Sequence, residues 1–200
     1  MVPPRSLATR PERYHAMTRG LHAATAAVLT LLYLSAYWRK WGTTQMESAN
    51  WYLLLTHVNL GLLCLGLTIA LLLAHLRLPH PAPVASRPAL RRAGTLVHRL
   101  MLALLLALPI AAYIGNGFDI VVLGRWAIPS FQRFEFAPWL AHTLDMPLIT
   151  LMEPFGRFHR DWGADLLLPL LIASHITAAL CHHAVLGDPV LYRMWPRRRR

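Results

Sequence analysis

The chain has 200 residues, 56% of them apolar and 14% charged, with mean hydropathy +0.39 and net charge +11. That is too apolar for a disordered chain, and two Cys are too few for a disulfide-stapled secreted domain. Too little polar surface remains for a soluble basic nucleic-acid binder, so the composition predicts an integral membrane protein with no nucleic-acid partner.

Four uncharged runs follow in chain order: Leu21–Trp38 (18 residues), Ser48–Leu76 (29), Leu100–Phe118 (19) and Leu166–Gly187 (22). About 20 apolar residues cross a bilayer core as a helix. The runs do not alternate apolar with polar, as barrel strands would. The fold class is therefore all-α: one domain over residues 1–200, an integral membrane four-helix bundle with spans at 20–38, 50–76, 97–117 and 163–186. The polar segment Thr9–Arg19 and the length of the first run read as a retained helix rather than a cleavable signal. Cys64 and Cys181 fall inside spans and read as small buried hydrophobes. The Pro-rich stretch from Pro79 to Pro88 reads as an extended linker.

Charge sets the orientation. The N-terminal arm (Arg5, Arg10, Arg13, Arg19), the second loop (Arg77, Arg87, Arg91, Arg92, Arg99) and the tail (Arg193, Arg197 to Arg200) hold 14 basic residues against Glu12 and Asp188. The other two loops hold six basic residues against seven acids. Excess Lys and Arg mark cytoplasmic loops, which puts both termini in the cytoplasm. The Arg197–Arg200 run reads as an anchor to anionic lipid. The long external loop, 119–162, carries Pro129, Pro138, Pro147 and Pro154. Its apolar part, Phe136–Met152, is expected at the interface or over the helix ends, and Trp126, Phe131, Phe134 and Trp139 suit the water–lipid boundary.

Eleven His in 200 residues is a high count, and an ionisable side chain in a membrane is costly and usually functional. His22 opens helix one and His175 lies inside helix four, both toward the cytoplasmic side. His57 lies in helix two and His159 beside helix four, both toward the external side. Two His at each depth predict two stacked bis-His sites. Zinc needs a more compact ligand cluster. Haem needs one axial ligand on each face and an apolar slot between helices, which a four-helix bundle supplies. His98 opens helix three and, with Arg99, is a candidate contact for a haem propionate or a quinone. His182 and His183 suit a helix C-terminus, His142 reads as a surface partner of Asp145, and His15, His75 and His80 read as solvated or interfacial.

At these residues the sequence resembles the bacterial cytochrome b561 family, related to the b-type cytochrome subunits of nickel hydrogenases and formate dehydrogenases. The resemblance rests on Arg13-Tyr14 with Leu21-His22, on His57-Val58-Asn59-Leu60-Gly61, on His98 running to Pro109, and on Ser174–His183 followed by Leu191-Tyr192-Arg193-Met194-Trp195-Pro196. It implies two b-type haems, with axial pairs His22/His175 and His57 with a residue near the start of helix four. It also implies multi-pass residence in the bacterial inner membrane.

One spacing departs from the family. Its two helix-four His usually stand 14 apart, whereas His159 and His175 stand 16 apart and the position 14 before His175 is Asp161. On a straight helix, steps of ~100° would leave the two rings ~160° out of phase. Either Pro169 kinks or rewinds the helix, or His159 reaches in from a loop, or the outer haem uses His142 or is absent. The His three residues before His98 in many relatives is Thr95 here.

The expected function is transmembrane electron transfer by an oxidoreductase, from an external one-electron donor such as superoxide to membrane quinone. Arg125, Arg133, Arg157 and Arg160 are candidates to steer an anion. One alternative is a haem-bearing membrane anchor that exchanges electrons with a partner dehydrogenase or hydrogenase; another is a non-redox membrane protein.

Overall fold

The computed structural model describes residues 13–82 and 88–194. Arg5, Arg10, Glu12, Arg87 and the Arg197–Arg200 run, on which part of the orientation and the lipid anchor rest, lie outside the described residues. So do Trp195, Pro196 and the middle of the Pro79–Pro88 linker.

Three long helices come first: α1 Ala16–Trp41, α2 Ser48–Arg77 and α3 Pro88–Gly115. Nδ1 of His15 accepts the Met17 amide at 3.2 Å and caps α1. α3 opens on Pro88, where a missing amide costs no helical bond. A two-stranded hairpin follows, β1 Ile120–Val122 and β2 Trp126–Ile128, then a 3₁₀ turn at Phe131–Arg133 and α4 Phe136–Thr143. The last long stretch runs without interruption through α5 Leu148–Arg157, a π-helical segment Phe158–Leu167 and α6 Leu168–Ala184, before the short α7 Val190–Met194. α1, α2, α3 and the stretch Leu148–Ala184 are each long and apolar enough to cross a membrane.

The fourth stretch starts at Leu148, well before the expected 163, so the external loop expected to reach 162 is shorter and His159 lies within the helix. Glu153, Arg157, Arg160, Asp161 and Asp165 had broken the apolar run. Three of them have partners: Arg157 sits 3.8 Å from Glu153 one turn back, and Asp165 takes Lys40 of α1 at 2.8 Å. The apolar segment Phe136–Met152 is divided between α4 and the start of α5, with Pro147 at the N-cap of α5.

α1 packs along α2, and α3 packs on α5, the π segment and α6. Buried residues in the four spans are mostly small: Thr18, Thr25, Ser35, Cys64, Thr68, Ala74 and Ala111. Small residues let helices approach closely in a membrane. Their hydroxyls bond to their own helix, as for Thr25 to the Leu21 carbonyl and Thr68 to the Cys64 carbonyl, each at 2.8 Å. No water is present in a bilayer core to satisfy them otherwise. Leu31, Leu63, Ile69, Ile110, Leu170 and Ile176 face outward, as lipid-facing side chains do. Cys64 is buried as expected, whereas Cys181 is exposed on the outer face of α6. A Cβ on Gly163 would run into Leu108 Cδ2, and one on Gly115 into the backbone of Gly156. These glycines set how closely α3 meets the fourth stretch.

The hairpin turns through Leu123 (φ 49°) and Gly124 (φ 68°), the two positive-φ positions of a primed turn. Gly124 adopts that backbone freely, whereas Leu123 does not. Asn59 of α2 holds it: its Oδ1 accepts the Leu123 amide at 2.9 Å and its Nδ2 donates to the Val121 carbonyl at 3.0 Å. Between α1 and α2, the amide and hydroxyl of Thr44 both donate to Glu47 and hold its carboxyl below the usual carboxylate range.

Candidate functional site: two facing histidine pairs

His57 projects from α2 toward α1, and His159 projects from the π segment. Their ring centroids stand 6.2 Å apart at 78°. Nδ1 of His57 lies 3.2 Å from the Leu32 carbonyl and 3.3 Å from Ser35 Oγ. Nδ1 of His159 lies 3.0 Å from the Leu108 carbonyl. A carbonyl only accepts, so both Nδ1 atoms carry the proton, which leaves both Nε2 lone pairs free to ligate. At the other end of the bundle, His22 of α1 and His175 of α6 also stand 6.2 Å apart, at 52°.

The π segment brings His159 into register. A π turn takes about one residue more than an α turn, so two such turns absorb about two extra residues. That equals the excess of 16 over the family's 14. The Leu168 amide reaches back to the Gly163 carbonyl, the five-residue step of π winding. Of the three explanations open from sequence, local rewinding is the one observed. Pro169 stands two residues past the segment, in the first turn of α6, and its ring disfavours the α-type approach of the carbonyl four residues back.

His98 of α3 joins the His22/His175 pair: its ring meets His175 edge-on at 4.8 Å, with Nδ1 2.7 Å from the Gly94 carbonyl. Arg99 instead lines an open hollow of about 330 Å³ with Arg91, Arg92, Thr95 and Leu96. His142 ends α4, exposed and without a ring partner among the described residues. His182 pairs with Asp188 at 2.7 Å, and His75 stacks on His80 at 5.2 Å. Of the four arginines considered for steering an anion, Arg133 is paired with Asp119 at 3.3 Å and Arg157 with Glu153. Arg125 and Arg160 have no ion pair among the described residues.

Sequence reasoning missed Ser35 and the Leu32 and Leu108 carbonyls, because a backbone carbonyl leaves no residue signature. It also missed Tyr33, whose hydroxyl donates to the Ala164 carbonyl at 2.8 Å, and Arg39, whose buried Nε has no hydrogen-bond partner.

The residues fit a haem better than a bare ion. Among the described residues no group of three His, Cys, Asp or Glu could hold a metal ion. A metal–imidazole bond of about 2 Å on each side, with each ring's own half-width, separates two trans imidazole centres by about 6 Å. Both pairs meet that spacing. Imidazole pairs at two levels of a membrane-spanning helical bundle fit what a b-type cytochrome requires.

Residues 13–197 match the prokaryotic cytochrome b561 family, and the chain belongs to that family. It is similar to cytochrome b561 homolog 1 of Escherichia coli (strain K12), at 28% identity over 187 residues that cover 90% of this chain and 94% of the relative. The protein is thus an integral membrane protein of b-type haem electron transfer. Membership sets aside the non-redox reading.

Proposed function

We propose that this protein carries two b-type haems, one held by His22 and His175 and one by His57 and His159, and moves electrons between them across the bilayer. The observation that carries this reading is the equal 6.2 Å separation of the two His pairs. A haem held by each pair would supply one-electron chemistry between ferrous and ferric iron. The chain supplies the rest. The Leu32 and Leu108 carbonyls fix the tautomer and tilt of His57 and His159 and raise their basicity as ligands. The π segment carries His159 to the level of His57. Leu32, which meets His57, lies ten residues beyond His22 on α1, about 15 Å along the helix. That separation supports two levels in series across the bilayer.

The side of the termini and the α2–α3 loop, rich in arginine, is assigned to the cytoplasm of a bacterial inner membrane. Electrons enter from an external one-electron donor, read here as the anion superoxide, and leave to membrane quinone. Arg125 and Arg160 are the external cations left to attract such an anion. The apolar residues exposed on the external face, Leu123, Trp126 and Trp139, favour a second reading, in which a partner subunit docks there and exchanges electrons.

The test mixes the purified, oxidised protein with superoxide and follows haem absorbance in a stopped-flow cell. Fast reduction followed by reoxidation with added ubiquinone supports the first reading. Slow reduction, together with co-purification of a redox subunit from the native membrane, supports the second.

A further inference from the structure

Arg39 is the one described residue with a buried side-chain nitrogen that has no hydrogen-bond partner. In a low-dielectric setting a buried guanidinium nitrogen without a partner is costly. Its backbone is fixed: the Arg39 carbonyl accepts the Thr43 hydroxyl at 3.1 Å and Asn50 Nδ2 at 3.3 Å, and Asn50 is itself buried. Among the described residues no carboxylate forms an ion pair with Arg39. Asp165 takes Lys40 at 2.8 Å and lies 3.4 Å from the Tyr37 hydroxyl, and Glu47 takes Thr44.

Position gives the residue its meaning. His57 meets Leu32 and Ser35 on α1, and Arg39 lies one turn beyond Ser35 on the same face, about 6 Å further toward the external side. A b-type haem is apolar except for two carboxylates on one edge. In a membrane that edge belongs toward water, on the side where Arg39 stands. A guanidinium group meets a carboxylate through a planar fork in which Nε is one tine.

We infer that Arg39 anchors the outer haem, its guanidinium binding a propionate carboxylate of the group that His57 and His159 hold. The inference rests on the proposed outer haem. It adds a residue outside the axial ligands, and it explains why the buried Nε of Arg39 has no partner.

The test is a double-substitution cycle on the full-length chain in detergent. Wild-type, Arg39→Leu and Arg39→Lys proteins are stripped of haem and reloaded with either native haem or its dimethyl ester, whose carboxylates are blocked. Loss of the outer haem to excess apomyoglobin is then timed. Losing a charge-assisted hydrogen bond should speed release of native haem from Arg39→Leu by roughly ten- to a hundred-fold, with Arg39→Lys intermediate because it keeps charge without the fork. With the ester, all three proteins should release haem at similar rates. Equal slowing or speeding with both haem forms, or no change with either, overturns the anchor role. A wild-type protein that binds a single haem overturns the outer site itself, which is a separate failure.

Discussion

The Tyr33 hydroxyl donates to the Ala164 carbonyl across 2.8 Å, and Pro169 is the reason that carbonyl is free. In the five-residue π register, the carbonyl of residue 164 would receive the amide of residue 169. Proline has no amide hydrogen. α1 therefore supplies the missing donor from its own face, and the irregular part of the fourth stretch is satisfied inside the bundle as the bilayer requires.

Tyr33→Phe should leave the Ala164 carbonyl unpaired at a cost of about 1–3 kcal/mol. The loss falls on the segment that carries His159. Thermal melting of the purified protein, followed at the Soret band, should show a lower midpoint for one haem population and an unchanged one for the other. A uniform shift of both would mean that Tyr33 supports the bundle generally.

Pro169→Ala restores an amide and removes the ring that disfavours α winding. If the segment then relaxes toward an α-helix, His159 turns away from His57. The expected outcome is one haem per chain instead of two, measured by pyridine haemochrome against protein mass, with the spectrum of the His22/His175 site retained. Two haems in this variant would mean that Gly163 and Tyr33 alone hold the π register.

His159→Ala and His57→Ala should each remove the same single haem, and their combination should remove no more than either alone. His22→Ala and His175→Ala should behave in the same way at the other site. Redox titration of the four single variants resolves this, because each pair leaves the midpoint of the other site nearly in place. If His57→Ala and His22→Ala removed the same component, the pairing would be refuted.

Gly163→Ala places a methyl group against Leu108. Overpacking of a close helix contact typically costs about 1–3 kcal/mol. Here it also pushes α3 from the π segment, stretching the bond between His159 and the Leu108 carbonyl. A lower melting temperature with a perturbed outer-haem EPR signal is expected. An unchanged EPR signal would show that the carbonyl follows the ring.

Asn59→Ala releases the first strand and the turn of the hairpin from α2 and leaves Leu123 in a backbone conformation it does not favour. Hydrogen exchange at residues 120–128 should accelerate while exchange in α2 changes little. Unchanged exchange would mean that strand pairing alone, Ile120 to Ile128 and Val122 to Trp126, protects the hairpin.

The four spans were legible because an uncharged run of about 20 residues has few other uses. The axial candidates were legible because histidine in such a run is rare. The start of the fourth helix was not, since Glu153, Arg157, Arg160, Asp161 and Asp165 read as loop until their helical neighbours and α1 partners are seen. His159 shows the limit most clearly. Its 16-residue distance from His175 announced a departure from regular winding, and Pro169 marked where. Choosing rewinding over a loop required knowing that Tyr33 stood opposite Ala164. Asn59 was quoted as part of a motif, but its partners in the hairpin lie 62 and 64 residues away, and no local pattern announces them. Arg99 illustrates the converse: adjacency to His98 in sequence placed it on a neighbouring face that opens outward.

The buried residues within the spans are mostly threonines, alanines, a serine and a cysteine, with few large side chains such as Leu108, Met152 and Leu168 among them. Helices joined by so little mutual hydrophobic contact draw much of their cohesion from whatever they grip in common. Anything that binds the folded state alone stabilises it in proportion to the logarithm of its free concentration. The amount of this protein that survives in a membrane should therefore follow the cell's haem supply, and its abundance becomes a readout of porphyrin and iron availability as well as of its own gene's expression.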